Sequence, residues 1–236
     1  MAFIDPESGV LTLRVVYDGA PGAGKTTNLR VLHETLFSAR GGTLYSLGSV
    51  ERRTEFFDWR ALDGGYLDGR PFRVHVLSVP GQWSLRARRR ILLRAADAVC
   101  FVSDASRGAT VPQATMLASL LRADPRMADR LLVQVNKSDA PSALTAAEMR
   151  AALRVASSTP SIVAQAARNL GVSETFLQLT RLATSCFRSA AREGSSFAES
   201  MALTPQELHD EILALETLSW RSTEDASDEN WSELDT

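Results

Sequence analysis

The chain has few cysteines, no long apolar run and little net charge, and each shortage excludes a class of protein. Its two cysteines, Cys100 and Cys186, cannot form a disulfide framework, and no metal-ligand spacing is present. No stretch approaches the ~20 apolar residues that span a bilayer, and the first residues lack the features of a signal peptide. The net charge of −2 attracts neither nucleic acid nor an anionic membrane. We therefore expect a cytoplasmic protein with no nucleic-acid partner and no integral membrane segment.

Lysine is also rare, and its positions are informative. The 26 basic residues are 24 arginines and two lysines, Lys25 and Lys137. An ammonium group is a compact point charge, which a planar guanidinium does not replace at a site built for it. Both lysines lie inside the motifs described below, which favours a specific role for each.

Apolar runs alternate with amphipathic segments over the first 192 residues. The pattern indicates an α/β fold with a mostly parallel six-stranded sheet and helices on both faces. A turn-rich linker joins the second and third strands, so we expect a hairpin that adds one antiparallel edge strand. The predicted strands are residues 11–18, 54–62, 72–79, 97–104, 129–137 and 160–166. The predicted helices are residues 25–37, 85–96, 112–122, 145–154 and 173–192.

The chain changes character near residue 193. We predict one domain over residues 1–193 and a C-terminal extension over residues 194–236. Thr204 and Glu207 form a capping-box pattern at the start of a predicted amphipathic helix, residues 204–220. The segment after this helix is acidic, so we expect a disordered tail.

The segment GAPGAGKTT, residues 19–27, matches the Walker A phosphate-binding pattern. It follows a predicted strand and opens a predicted helix, which is the context that the pattern requires. Glycines let backbone N–H groups converge on phosphate oxygens, and the helix N-terminus adds favourable partial charge. Lys25 is expected to reach the β- and γ-phosphates, and the Thr26 hydroxyl to bind Mg²⁺. The other residues of this segment expected to bind nucleotide are Gly19, Gly22, Ala23, Gly24 and Thr27.

The segment NKSD, residues 136–139, follows a predicted buried strand, and ligands of α/β sheets bind at such strand ends. The Asp139 carboxylate can accept two hydrogen bonds from guanine, and adenine offers no such pair of donors. Asn136 is expected to connect this loop to the phosphate-binding segment. The aliphatic part of Lys137 is expected to pack on the base.

The strand at residues 72–79 leads into a Pro-Gly-Gln turn. The Gly81 N–H is expected to face the γ-phosphate, and Gln82 to lie beside the attacking water. Nucleotide switches of the Ras kind end this strand in an aspartate that helps to hold Mg²⁺, whereas this chain has Ser78. The residues alone leave open whether the metal is held in another way or the chemistry has been lost.

The sequence resembles the MglA-type bacterial small GTPases, which are Ras-like switches of gliding motility and cell polarity. The resemblance rests on GAPGAGKTTNLR, RTEFFDW, VPGQ and NKSD at their spacings, and it covers roughly residues 2–192. The family implies a P-loop small-GTPase fold, slow GTP hydrolysis, and GTP/GDP and Mg²⁺ as ligands. The predicted C-terminal helical extension and the acidic tail lie outside the resemblance. The opening MAFI also resembles the family's short N-terminal strand.

The resemblance also implies roles for individual residues. The family lacks the strand-end aspartate, so Ser78 fits its pattern, and Thr26 and Thr54 would hold the metal. Arg53 maps onto an arginine that resembles a built-in arginine finger, which makes Arg53 and Gln82 the candidate catalytic residues. The backbone at Ala166 maps onto a guanine-contacting loop.

For partners, the resemblance implies a roadblock-domain homodimeric activating protein and polarity or motility effectors, which could recruit the chain to a cell pole or membrane. The alternative is a pseudo-GTPase scaffold, which Ser78, Trp83 and the C-terminal tail motivate. An ATP-using kinase or ATPase is disfavoured by Asp139. The basic residues 86–90 are expected to form a solvated helix face rather than a surface for an acidic partner.

Overall fold

The structure is a computed structural model that describes residues 2–37, 45–50, 53–79, 86–194, 204, 206–210 and 212–214. For residues 37, 45–50, 53–60 and 86–88 it describes the backbone alone. The chain divides into two units, Met1–Ser200 and Met201–Thr236.

The first unit is built on one sheet. Its strands follow the order β3-β4-β5-β2-β6-β7-β8, and β1 pairs with β2. The pairs β5–β2, β2–β6, β6–β7 and β7–β8 are parallel, whereas β1–β2, β3–β4 and β4–β5 are antiparallel. The strands are β1 Phe3–Ile4, β2 Leu11–Asp18, β3 Tyr45–Val50, β4 Arg53–Leu67, β5 Arg70–Ser78, β6 Ala98–Asp104, β7 Leu131–Asn136 and β8 Ser161–Val163.

The predicted fold class is confirmed, and all six predicted strands are present. Two further strands extend the sheet. β1 agrees with the resemblance of MAFI to a short N-terminal strand. β3 lies in a polar, glycine-containing section that gave no strand signal, and its pairing with β4 means that β4 is not the edge.

The predicted hairpin is also confirmed, but its linker is mostly strand. β4 continues to Leu67, and only Asp68 and Gly69 form the turn, with φ values of 52° and 80°. Two consecutive positive φ values are typical of the tight turn whose twist matches that of the strands. The Gly64–Gly65 pair, which resembled a loop in the sequence, coincides with a register irregularity between Asp63 and Gly65.

Five α-helices accompany the sheet in the described part of the first unit. The first continues as a π-helical segment, His33–Phe37. A capping box at the start of the fourth, in which Thr145 and Glu148 bond reciprocally, explains where that helix begins. The helices are α1 Lys25–Leu32, α2 Arg86–Arg94, α3 Thr110–Ala123, α4 Ala146–Leu153 and α5 Val172–Arg192. Among the described residues, no helix has the length and apolar character that crossing a membrane requires.

The central strand β2 is buried along its whole length. Successive side chains of a strand point to opposite faces. One face therefore carries Leu11, Leu13, Val15 and Tyr17, which form one apolar cluster with residues of α1 and α5. The other face carries Thr12, Arg14, Val16 and Asp18. Each fully buried apolar side chain contributes roughly 1.5–3 kcal/mol relative to exposure, so the first face fixes where α1 and α5 pack.

The described part of the second unit is helical at residues 206–210 and 212–214. Thr204 donates its backbone N–H to the Glu207 carboxylate, and its hydroxyl accepts the N–H of Glu207. The predicted capping box is therefore confirmed. Residues 205, 211 and 215–220 of the predicted helix and the acidic tail lie outside the described residues, and the boundary at residue 193 stays a prediction.

Candidate nucleotide-binding site

The predicted motifs meet at one edge of the sheet. The parallel strands β2, β5, β6 and β7 end there with Asp18, Ser78, Asp104 and Asn136, and the register places Tyr17 opposite Ser78 and Asp104 opposite Asn136. Ligands of parallel α/β sheets bind at the carboxyl ends of the strands. The residues 19–26, here called the phosphate loop, follow β2 directly, and the residues 136–139, the guanine loop, begin at the end of β7.

Two glycines of the phosphate loop are required by their surroundings. Gly19 and Gly24 have φ values of 143° and 108°, which L side chains rarely adopt. A Cβ at Gly19 would collide with the Val102 carbonyl, and one at Gly24 with the Asn136 side-chain amide. The loop therefore approaches β6 and β7 too closely for any side chain at these positions.

Lys25 closes the phosphate loop from within. Its ammonium group donates to the carbonyl oxygens of Gly19, at 2.8 Å, and Ala20, at 2.9 Å. Gly24 is the N-cap of α1, gives the helix no side-chain cap, and is followed by a first turn without an acidic residue. Such a helix start, beside a buried ammonium, suits an anion with several oxygens.

Asn136 connects the two loops, as the sequence predicted. Its Nδ2 donates to the Ala23 carbonyl at 2.8 Å, and its Oδ1 accepts the Ala166 N–H at 2.9 Å. The side chain is buried, so both bonds are shielded from water. The predicted phosphate-contacting residue Ala23 and the predicted guanine-contacting residue Ala166 are thereby fixed relative to each other.

The remaining residues of the guanine loop lie nearer solvent. Lys137 has a φ of 59°, and its ammonium donates to the Asp104 carboxylate at 2.6 Å. Partial burial acts to raise the pKa of Asp104, but hydrogen bonds from Lys137 and Ser106 outweigh burial, and the pKa is lowered. Asp139 is exposed. Thr26 is exposed and Thr27 is half-buried at the start of α1, and Gly22 stands in open space with a φ of 74°.

Comparison with known proteins agrees with this geometry. Residues 10–182 match the ADP-ribosylation factor (Arf) family. The chain is also 33% identical over 190 residues to the mutual gliding-motility protein MglA of Myxococcus xanthus (strain DK1622), across 77% of this chain and 95% of that protein. The chain belongs to the Arf family and is a small GTPase of the MglA type. The resemblance that the sequence motifs indicated is confirmed.

Magnesium is typical of small GTPases, and the residues of this GTPase fit an ion that is held by few protein ligands. Among the described residues, no group of three or more His, Cys, Asp or Glu side chains could hold a metal ion. Thr26 is exposed at the start of α1, where a phosphate-bound ion would lie. A single hydroxyl suits Mg²⁺ bound mainly through substrate phosphates and water, which is how this ion is usually held.

The predicted switch residues fall only in part within the described chain. Arg53 and Thr54 are the first residues of β4, and their backbones pair with Val50 and Ser49 of β3. Ser78 is buried at the end of β5, directly opposite Asp58 of β4. Gly81 and Gln82, and the neighbouring Trp83, lie outside the described residues.

One contact at the site was missed by sequence reasoning. Asp18, the last residue of β2, is fully buried and accepts two hydrogen bonds of 2.6 Å from Arg89 of α2. The prediction of a solvated basic face is wrong for Arg89, whose side chain is 10% exposed, although Arg90 is exposed. The available signal was the aspartate itself, because a carboxylate at the end of an apolar buried strand needs a cationic partner.

Proposed function

We propose that this GTPase is a molecular switch of cell polarity or motility that binds GTP, hydrolyses it slowly, and is stimulated by an activating protein. The observation that carries the proposal is the Asn136 side chain, which joins Ala23 of the phosphate loop to Ala166 beside the guanine loop. This link sets the spacing between a triphosphate-binding loop and a guanine-selecting carboxylate. An adenine nucleotide would gain nothing from Asp139.

The proposed chemistry needs little covalent participation from the protein, because phosphoryl transfer depends on position and charge. Lys25, the α1 N-terminus and Mg²⁺ held by Thr26 and Thr54 would neutralise the triphosphate. Gln82 would orient the attacking water, and Arg53 would stabilise the charge that spreads over the γ-phosphate oxygens. GTP would order Thr54 and the Gly81 turn, and hydrolysis would release them.

The partners belong to the same proposal. The relative from Myxococcus xanthus is named for gliding motility. We infer a comparable process for this chain, with a roadblock-domain homodimer as the activating protein and polarity or motility effectors that read the GTP state. The switch would act in the cytoplasm, with recruitment to a cell pole or membrane through these partners.

A scaffold that holds nucleotide without hydrolysing it is the second candidate. The serine at position 78 and the tryptophan at position 83 favour it, because the first removes a common metal-binding carboxylate and the second adds a bulky aromatic next to Gln82. The two candidates share nucleotide binding and differ in turnover.

Nucleotide selectivity is the first test. The native chain should bind GDP and GTP far more tightly than ADP and ATP in a fluorescence titration. Asp139→Asn should lose guanine affinity and gain affinity for xanthine nucleotides, since an amide can donate to the 2-oxo group of xanthine. Equal affinity for ATP and GTP, or binding of neither, would refute the proposal.

Turnover is the second test, measured as phosphate release with and without a candidate roadblock protein. Arg53→Ala should lower the stimulated rate by roughly 10³-fold if the guanidinium acts as an arginine finger. Gln82→Ala should also lower it, whereas Arg52→Ala, which removes the adjacent guanidinium, should not. Unchanged rates in both the Arg53 and Gln82 variants would favour the scaffold.

A further inference from the structure

Gln134 lies on the same face of β7 as Asn136, two residues before it. Residues two apart on a strand point to the same face and are separated by roughly 7 Å. Asn136 already joins the phosphate loop to Ala166 from this face. Gln134 lies one step further from the strand end and is fully buried.

Gln134 forms a reciprocal pair with Asn28 of α1. The Asn28 amide donates to Gln134 Oε1 at 2.8 Å, and the Gln134 amide donates to Asn28 Oδ1 at 2.9 Å. Both side chains are fully buried, and 106 residues separate them in sequence. A paired amide–amide contact of this kind fixes the distance and the relative orientation of the two backbones.

Each member of the pair is connected by hydrogen bonds to the N-cap residue of a different helix. Asn28 Nδ2 also donates to the carbonyl of Gly24, the N-cap of α1, at 2.9 Å. Gln134 Nε2 also donates to the Thr175 hydroxyl at 2.9 Å, which in turn donates to the carbonyl of Gly171, the N-cap of α5, at 2.6 Å. The network therefore runs from the phosphate loop through β7 to α5.

Every N–H of the two amides has an acceptor in this network, because each NH₂ group makes two hydrogen bonds. A fully satisfied buried network is rigid, and a partly satisfied one is costly. The arrangement is consequently suited to holding one geometry rather than to switching between two.

We propose that Asn28 and Gln134 are positioning residues for the nucleotide, forming a second connection that works in parallel with Asn136. This role rests on the proposed function. A guanine nucleotide spans two loops carried by different strands, so its affinity depends on their separation being set before it binds. Asn136 fixes the loops at the strand ends. The amide pair fixes the helix start and the strand beneath them, which prevents the phosphate loop from tilting about the Asn136 contact.

The test measures the dissociation rate of a fluorescent GDP from the full-length chain. The key variant carries Asn28→Leu and Gln134→Leu together, because replacing both partners by apolar groups of similar shape can leave stability nearly unchanged. We expect its GDP dissociation to be faster than native by about 10- to 100-fold, by analogy with the loss of metal affinity when residues that orient metal ligands are replaced. Leu117→Ala, a buried truncation in α3 outside this hydrogen-bond network, controls for general destabilisation and should change the rate by less than threefold.

A second pair of variants covers the case in which the double variant does not fold. Thr175→Val removes the hydroxyl that links Gln134 to α5 and keeps the shape, whereas Thr175→Ser keeps the hydroxyl. The valine variant should release GDP faster than native, and the serine variant should resemble native. A folded double variant, or a Thr175→Val variant, that releases GDP at the native rate would overturn the positioning role. Failure of the native chain to hold any guanine nucleotide would instead overturn the proposed function, and this role with it.

Discussion

On the face of β2 that meets α1 and α5, the β2 side chains are apolar. On the same side of the sheet, β7, which is separated from β2 by β6, carries the neutral amides Gln134 and Asn136. On the opposite face of β2 lie two buried charged residues, Arg14 and Asp18. Asp18 pairs with Arg89 of α2. The same strand is therefore attached to its helices by neutral contacts on one side and by charge on the other.

Neutral amide contacts and buried ion pairs are suited to different structural roles. An amide presents a donor and an acceptor in fixed directions, carries no net charge and does not titrate, so the contacts that set the spacing of the nucleotide loops are independent of pH. A buried charge depends on its partner, because removing that partner leaves an uncompensated ion. We infer that the amide face fixes the site, whereas the charged face holds α2, the helix that follows Gly81 and Gln82 in sequence.

Breaking the charged face should give the largest effect on stability. Asp18→Asn leaves Arg89 buried without a carboxylate, and we expect a loss of about 3–5 kcal/mol in the free energy of unfolding. Urea denaturation monitored by circular dichroism would measure it. The combined change Asp18→Leu and Arg89→Met should recover most of the loss, since replacing a buried ion pair with apolar groups is often neutral.

An exposed ion pair provides the matched control for Asp18. Asp63 and Arg73 form an ion pair at 2.8 Å, with side chains 77% and 45% exposed. Asp63→Asn should cost less than about 1 kcal/mol, because solvent screens such pairs. Similar losses for Asp18→Asn and Asp63→Asn would remove the contrast between buried and exposed charge.

Removing a hydrogen-bonding amide from the amide face should lower the affinity for nucleotide. Asn136→Ala leaves the Ala23 carbonyl and the Ala166 N–H without this side chain, and we expect GDP affinity to fall by about 2–4 kcal/mol, or roughly 30- to 1,000-fold. Isothermal titration calorimetry would measure the change. Ser138→Ala removes only a hydroxyl bond of 3.1 Å to the Ala164 carbonyl and should weaken binding by less than about fivefold. An Asn136→Ala chain with native affinity would show that the link between the loops is dispensable.

Lowering the pH from 7.5 to 5 should weaken the charged face, where His75 of β5 lies opposite Arg14 of β2. Burial, and then the charges of Arg14 and Arg73, lower the pKa of His75 to about 3. In the unfolded chain His75 takes up a proton near pH 6.5, whereas in the folded chain it stays neutral at this pH. Folding with a neutral His75 is therefore not penalised above pH 6.5. Below it, the free energy of unfolding decreases, by about 2 kcal/mol between pH 7.5 and pH 5. Denaturation of native and His75→Gln chains at both pH values would measure it, and the variant should lose less stability. Equal losses would contradict a neutral, buried His75.

The smallest effect is expected at the solvent-exposed ends of the strands. The Lys137 and Asp104 side chains, paired at 2.6 Å, are 43% and 18% exposed. Asp104→Asn should lower GDP affinity by less than about 1 kcal/mol, and the difference from native should shrink further in high salt. Titrations at low and high salt would decide this. A large, salt-independent loss would place Lys137 in a more specific role than packing on the base.

The local motifs were predictable because each is written in consecutive residues. The phosphate loop needs glycines, a lysine and a threonine in fixed order, and the structure shows why Gly19 and Gly24 admit no side chain. The strand–helix alternation likewise predicted the sheet and its hairpin. β3 escaped prediction because its stability comes from pairing with β4 rather than from apolar alternation of its own.

The sequence by itself determined the family, the fold class and the residues expected to touch the nucleotide, because these follow from short-range order along the chain. Only the tertiary structure decided how the site is supported. Asp18 meets Arg89 across 71 residues and Asn28 meets Gln134 across 106, and neither pairing is visible until the order of the strands is known. A polar residue in a buried segment can be recognised in the sequence as needing a hydrogen-bond partner. Which residue becomes that partner depends on which element the folded sheet brings within about 3 Å of it.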